Sequence, residues 1–273
     1  MTDRYAVMGN PIAHSKSPRI HSLFAAQFGH DIEYRAILVE PGCFARAVTD
    51  FQAQGGKGLN VTVPFKEEAW ALAATRSARA QRAGAVNTLV LDPSGTHFGD
   101  TTDGVGLVRD LKDNQGCDFA NRRMLLIGAG GAARGVIEPL LGEEPALLVI
   151  ANRTPGKAVE LASAFVECGR IEGCGLDELA GQSFDIIINA TAAGLSGAVP
   201  ALPPGVVRAH SWCYDMMYAD EPTAFVRWAQ EHGAARALDG LGMLVEQAAE
   251  AYFLWRRIRP ATDPVIRALR QRR

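Results

Sequence analysis

Lys66 stands where a basic side chain is out of place. Leu59, Val61 and Val63 alternate with Asn60 and Thr62, which is the period of a half-buried strand. Pro64 ends that ladder, and Lys66-Glu67-Glu68-Ala69-Trp70-Ala71-Leu72 reads as a helix. The first turn of a helix is the positive end of its dipole, where carboxylates are preferred. An ammonium held there is electrostatically uphill, which suits a group that gives up a proton. The structural alternative is a solvated lysine neutralised by Glu67 and Glu68. Two hydroxyls, Ser15 and Ser17, lie one residue apart before a helix beginning at Pro18. Ser17 is a good N-cap and Pro18 a good first helical residue. That leaves Ser15 unexplained, and two hydroxyls at a helix N-terminus would suit a small carboxylate. Gly84-Ala85-Val86-Asn87-Thr88 and Gly99-Asp100-Thr101-Thr102-Asp103-Gly104 each place polar residues beside a strand or helix end, with Asp103 also a candidate cap for a helix from Gly104.

A second constellation lies further along. Gly128-Ala129-Gly130-Gly131-Ala132-Ala133 follows an apolar strand ending at Ile127 and precedes a helix over Arg134 to Leu141. This is G-x-G-x-x-A in the strand–turn–helix context that a dinucleotide requires. Gly128 permits the tight turn, Gly130 lets the backbone approach a pyrophosphate, and Ala133 allows close helix–strand packing. The next strand, Leu147 to Ala151, ends in Asn152-Arg153-Thr154, with Lys157 close behind. An NAD site carries a carboxylate at this point for the ribose 2′-hydroxyl. Here a guanidinium, a hydroxyl and an ammonium stand instead, which suits a 2′-phosphate and so NADP. Thr154 also reads as the N-cap of a helix with Pro155 at its first position.

The elements that must position these groups are those of an α/β protein. Residues 4 to 99 alternate strand-like and helix-like runs and include a hairpin around Asp92-Pro93-Ser94-Gly95, giving a mixed sheet. Beyond Gly104, strands at 122–127, 147–151, 184–189 and 210–216 separated by helical stretches read as a parallel, doubly wound sheet of the Rossmann type. A long amphipathic helix, Met243 to Arg257, and a last one from Pro264 are expected to pack back on the first half. The boundaries read as 1–103, 104–238 and 239–273. At 273 residues, 48% hydrophobic and 21% charged, the chain has the size and composition of a two-domain globular protein. Its formal charge of −2 argues against a nucleic-acid partner. The arginines from Arg256 to Arg273 read as a solvated helix face and tail. No run is apolar enough for a signal peptide or a membrane span. Five cysteines without a Cys-x-x-Cys and scattered histidines suggest neither a disulfide framework nor a metal site, and point to the cytoplasm.

With these motifs in order from Gly9-Asn10-Pro11 through Asn189-Ala190-Thr191, Tyr214 to Tyr218 and Asp239 to Gln247, the chain resembles the NADP-dependent shikimate dehydrogenase family. The resemblance implies a substrate domain, a Rossmann domain for NADP, an active site in the cleft, and reversible reduction of 3-dehydroshikimate to shikimate. It implies that Lys66 and Asp103 form the catalytic pair. Ser15, Ser17 and Tyr218 would hold the substrate carboxylate, and Thr62, Asn87 and Gln247 the carboxylate or ring hydroxyls. Gly128, Ala129, Gly130, Gly131, Ala132, Asn152, Arg153, Thr154, Lys157, Met216 and Gly240 would contact the cofactor. The molecule would be a monomer or homodimer. Lys157 replaces a frequent arginine, Ala78 a frequent acidic residue, and Ala192 and Ala193 small hydroxyl residues. A quinate/shikimate dehydrogenase that also uses NAD, a folate-pathway dehydrogenase and a non-catalytic NADP-binding regulatory module are the alternatives. Arg153 speaks against the first, the paired serines against the second, and the presence of both Lys66 and Asp103 against the third.

Overall fold

The computed structural model describes residues 2–191 and 198–271, which fall into two compact units, 2–106 with 245–271 and 107–244. The first unit runs β1 (Asp3–Gly9), α1 (Ser17–Phe28), β2 (Ile32–Leu38), α2 (Phe44–Ala53), β3 (Gly56–Val61), α3 (Lys66–Leu72), β4 (Thr75–Arg76), α4 (Ala78–Ala83), β5 (Thr88–Val90), β6 (Phe98–Asp100) and the start of α5 (Asp103–Arg109). The second continues with β7 (Arg123–Ile127), α6 (Gly131–Leu141), β8 (Leu147–Asn152), α7 (Pro155–Ser163), β9 (Ile171–Gly175), β10 (Ile186–Asn189), β11 (Trp212–Asp215), α8 (Ala224–Glu231) and β12 (Arg236–Leu238). Helix α9 (Leu241–Arg256) begins in the second unit and ends in the first, which α10 (Asp263–Arg270) completes. The chain therefore passes between units inside α5 and α9. The sequence places both passages before those helices, because composition marks where a helix starts and not which of its turns packs where.

The first sheet has strand order β2-β1-β3-β5-β6-β4. Its strands β1, β2 and β3 are parallel, while β5 is antiparallel to both β3 and β6. Asn60 pairs with Thr88, and Thr88 with Asp100. The end of β3, the start of β5 and the end of β6 thus meet at one edge of the sheet. Short elements β4 and α4, which carry no strong apolar period, are additions to the pattern read from sequence.

The second sheet, β12-β11-β10-β7-β8-β9, is parallel throughout. Helices cover both faces of such a sheet, so its strands read as unbroken apolar runs, as in the buried Met124 to Ile127. On α6, Ala133, Val136, Ile137 and Leu140 recur at helical spacing and join the core with Leu126 and Ile150. The order 3-2-1-4-5-6, counted from β7, is that of a dinucleotide-binding fold, and its direction reverses between β7 and β10. At that reversal Gly128 has φ of +112°, and a Cβ there would press on the Ala190 backbone at 3.3 Å and on Thr191 at 3.2 Å. A Cβ at Gly130 would meet nothing within 4 Å.

The terminal arginines are not simply a solvated face. Arg256 pairs with Asp3, and Arg259 binds Glu246 at 2.7 Å and Glu250 at 2.9 Å. Glu250 also accepts from Arg79 at 3.4 Å, and Arg79 forks onto both oxygens of the buried Asp100 at 2.8 and 2.6 Å. This chain of charges ties α9 to α4 and β6. On the other side, Arg19 and Gln27 of α1 donate to the carbonyls of Ala268 and Ala261 at 3.0 and 2.9 Å. In the sequence the terminal arginines stand together as one basic face, and only the packing of distant elements supplies the acidic partners.

Two predictions follow from these cores. His21 is fully buried, stacks on Tyr34 at 4.1 Å between centroids, and has no hydrogen-bond partner for either ring nitrogen. Burial pushes its imidazole down to about 3. The unfolded chain takes up this proton near ~6.5 and the folded chain does not, so stability is complete above that value and falls as pH drops towards 3. His21→Phe should therefore gain on the parent protein by about 1.4 kcal/mol per pH unit below pH ~6.5, read as unfolding free energy at several pH values. A gap that stays constant with pH would count against it. Gly128→Ala should lower stability by about 1–3 kcal/mol through its left-handed backbone and lost clearance, while Gly130→Ala leaves the melting temperature nearly unchanged.

Candidate active site

Lys66 is the first residue of α3 and Asp103 the first of α5, and the sheet edge described above brings them together. Lys66 Nζ lies 2.6 Å from Asp103 Oδ2, with the two side chains only 15% and 10% exposed. At this burial the pair is far less screened than a surface ion pair. Asn87 Nδ2 donates to Asp103 Oδ1 at 2.8 Å and lies 3.4 Å from Gln247 Oε1 on α9. The Val86 N–H donates to the Lys66 carbonyl at 2.9 Å, which fixes the start of α3 beside this segment. Asp103 does not cap α5: it is the helix's own first residue, and its two oxygens are engaged by Lys66 and Asn87. A carboxylate that orients an ammonium in a largely dry site is suited to general acid–base chemistry.

The serines differ from expectation in one respect. Lys16 takes the cap position of α1 and Ser17 lies inside the helix, with no side-chain capping bond. Ser17 is buried, and the half-buried Ser15 hydroxyl accepts from the Ser17 backbone N–H at 3.3 Å, closing a local turn. The helix thus starts one residue earlier than the capping rule assumes, with Pro18 still in its first turn. Thr62 follows β3, its N–H donating to the Met8 carbonyl at 2.9 Å. Ala78 opens α4, one position before Arg79.

Sequence reasoning missed the shell around Asn87. Thr88 and Thr102 are fully buried and both reach Asn87 Oδ1, at 2.9 and 3.1 Å, while Asn60 Nδ2 donates to Thr88 at 3.1 Å. The available signal was the polar residues set at strand ends among apolar neighbours.

In the second unit Gly128, Ala129, Gly130, Gly131 and Ala132 form the turn from β7 into α6, where Gly130 takes the cap position. The free N–H groups of a helix start make this an anion site. At the end of β8 the half-buried Asn152 donates through Nδ2 to the Thr154 carbonyl at 3.1 Å. Arg153, Thr154 and Lys157 are exposed. Thr154 takes the cap position of α7 but makes no side-chain capping bond, so its hydroxyl does not play the capping role read from sequence. No carboxylate stands between Asn152 and Lys157. Met216 and Tyr218 follow β11. The Met216 N–H donates to the Asn189 carbonyl and the Gly240 N–H to that of Met217, each at 2.9 Å. Buried Asp215 braces these loops, accepting from Asn189 at 3.0 Å, the Met217 N–H at 3.1 Å and Thr223 at 2.6 Å. Burial pushes its carboxyl up, and these donors offset part of that. Tyr218 is half-buried. Ala192 and Ala193 lie outside the described residues.

The two units correspond to known sequence families. Residues 7–89 match the shikimate dehydrogenase substrate binding domain, 110–196 the shikimate / quinate 5-dehydrogenase family, and 240–270 the shikimate 5′-dehydrogenase C-terminal domain. A protein of Nitrosococcus oceani named shikimate dehydrogenase (NADP(+)) is 58% identical over 99% of this chain and 96% of its own length. One of the same name from Methylococcus capsulatus is 57% identical, over 99% and 97%. The crystal structure of shikimate 5-dehydrogenase from Thermus thermophilus, in complex with NADP(H) and shikimate, aligns with a TM-score of 0.86 and 31% identity over 99% of both chains. By sequence along nearly its whole length, and by the fold of both units, this chain belongs to the shikimate dehydrogenase family.

Proposed function

We propose that the chain catalyses the reversible NADPH-linked reduction of 3-dehydroshikimate to shikimate, with Lys66 and Asp103 as its proton-transfer pair. The observation that carries this reading is the short, buried contact between Lys66 Nζ and Asp103 Oδ2 at 2.6 Å. NADPH supplies the hydride for the ketone carbon. The residues of the second unit fit that cofactor: the Gly128 to Ala132 turn offers helix N–H groups to the pyrophosphate, and Gly130 has the clearance for a close approach. Asn152, Arg153, Thr154 and Lys157 offer the 2′-phosphate donors and positive charge, with no carboxylate to repel it. Lys157 is a flexible point charge, so the weight of a bidentate contact falls on Arg153. Met216 and Gly240 lie on the braced loops beside β11 and would contact the cofactor.

As the carbonyl oxygen gains charge, Lys66 donates its proton and stabilises the developing alkoxide, and Asp103 keeps the ammonium aimed. In the reverse direction neutral Lys66 accepts the proton from the substrate hydroxyl. Ser15, Ser17 and Tyr218 hold the substrate carboxylate, and Thr62, Asn87 and Gln247 the carboxylate or ring hydroxyls. Cytoplasmic location and a monomer or homodimer fit this metabolic role, and a small-molecule substrate needs neither nucleic acid nor membrane.

Absorbance at the nicotinamide band with shikimate and NADP⁺ tests the activity, with quinate and NAD⁺ as controls for the broader alternative. Lys66→Met should lower kcat by about 10²–10⁴-fold while shikimate affinity stays within about tenfold. Near-normal kcat would remove Lys66 from proton transfer. Arg153→Ala should cut the preference for NADPH over NADH by about 10- to 100-fold, an effect that shrinks as salt rises. An equal loss for both cofactors would instead place Arg153 on a part they share.

A further inference from the structure

We infer that Thr88 is a positioning residue for the proton-transfer pair, acting through the side-chain amide of Asn87. The inference rests on the roles given above to Lys66 and Asp103. An asparagine amide can be placed either way round, and its partners decide which end meets a carboxylate. Around Asn87 they leave one choice. The Thr102 backbone N–H can only donate, and it lies 2.9 Å from Asn87 Oδ1. Asn87 Nδ2 therefore faces Asp103 Oδ1 at 2.8 Å, which leaves Oδ2 for Lys66. The reversed amide would set an oxygen against the carboxylate, acceptor against acceptor.

Thr88 supports that orientation from behind. Its hydroxyl donates to Asn87 Oδ1 at 2.9 Å, and the direction of this bond is set by a second amide. Asn60 Nδ2 donates to Thr88 Oγ1 at 3.1 Å, so the Thr88 hydrogen is turned towards Asn87. Asn60 is itself oriented by the Asn87 backbone carbonyl, which can only accept and lies 3.4 Å from Nδ2, so that its Oδ1 accepts from the Tyr34 hydroxyl at 2.7 Å. Four hydrogen bonds thus run in one sense from Tyr34 through Asn60, Thr88 and Asn87 to Asp103. Thr88 is fully buried, so it reaches no substrate and no solvent can replace its hydroxyl. A polar chain in such surroundings is strongly felt when one member is lost.

The test compares Thr88→Val, which removes the hydroxyl at nearly constant volume, with Thr88→Ser, which keeps it. With NADP⁺ and shikimate, Thr88→Val should lower kcat by about tenfold and raise the shikimate KM by clearly less than that, because the aim of the pair is lost while Asn87 is only one of several groups that hold substrate. Thr88→Ser should recover most of kcat. A Thr88→Val enzyme with kcat within about twofold of the parent, or one that loses KM and kcat alike with no recovery in Thr88→Ser, overturns the inference. If the valine variant does not fold, Thr88→Cys, with its weak thiol donor, is read against the same outcomes. Lys66→Met assayed alongside separates the two readings. An active Lys66→Met enzyme removes the pair itself, whereas an inactive one beside a normal Thr88→Val enzyme removes only the role of Thr88.

Discussion

The first unit is organised around one costly act, the burial of an ammonium and a carboxylate against each other. Removing either partner of such a pair leaves an unpaired charge away from water, which costs far more than the pair gains. The arrangement is tolerable only if the other oxygen of Asp103 is also paired, and Asn87 does this at 2.8 Å. Asn87 must then be held in its turn, which sets Thr88 and Thr102 on its side-chain oxygen and Asn60 behind Thr88. The mixed sheet makes this possible. Its antiparallel strands β5 and β6 return the chain to the edge where β3 ends, so residues from three strand ends converge within hydrogen-bond reach.

A second ring of charges supports that network from outside. Asp100, the last residue of β6, is forked by Arg79, and Glu250 links Arg79 to Arg259. Glu246, the other partner of Arg259, is the neighbour of Gln247 on α9. The same helix is stapled to β1 through Arg256 and Asp3, and to β5 through Trp255, whose indole N–H donates to the Leu89 carbonyl at 3.0 Å. Helix α9 can therefore present Gln247 to Asn87 without relying on apolar contact alone. In the proposed reading the second unit solves a different problem, the placing of loops around an anion. Helix α6 supplies the donors, and Asp215 binds the loops after β10 and β11 into one block.

Much of this was legible in the chain. Parallel strands buried on both faces leave unbroken apolar runs, and glycine before a helix has a steric reason that survives any context, so the second unit and its turn at Gly128 could be read directly. The basic and hydroxyl residues from Arg153 to Lys157 could be read for the same cause: what matters there is charge and the lack of a carboxylate, both properties of residue type. The pairing of Lys66 with Asp103 was different. Thirty-seven positions separate them, and it was the resemblance to a family, not periodicity, that joined them.

Caps and ion pairs were decided by tertiary structure. Ser17, Thr154 and Asp103 all have the chemistry of an N-cap, yet none makes a side-chain cap: Ser17 and Asp103 are the first residues of their helices, and Thr154 holds the cap position without the bond. Arg256 and Arg259 looked like solvated charge until folding brought Asp3, Glu246 and Glu250 to them. The sequence by itself determined the two sheets, the anion-binding turn and the chemical types at the site. Which way the amides of Asn60 and Asn87 face, and hence how the Lys66–Asp103 pair is aimed, was left to the tertiary structure. Amide orientation depends on donors that arrive from separate strands, and no local preference encodes it.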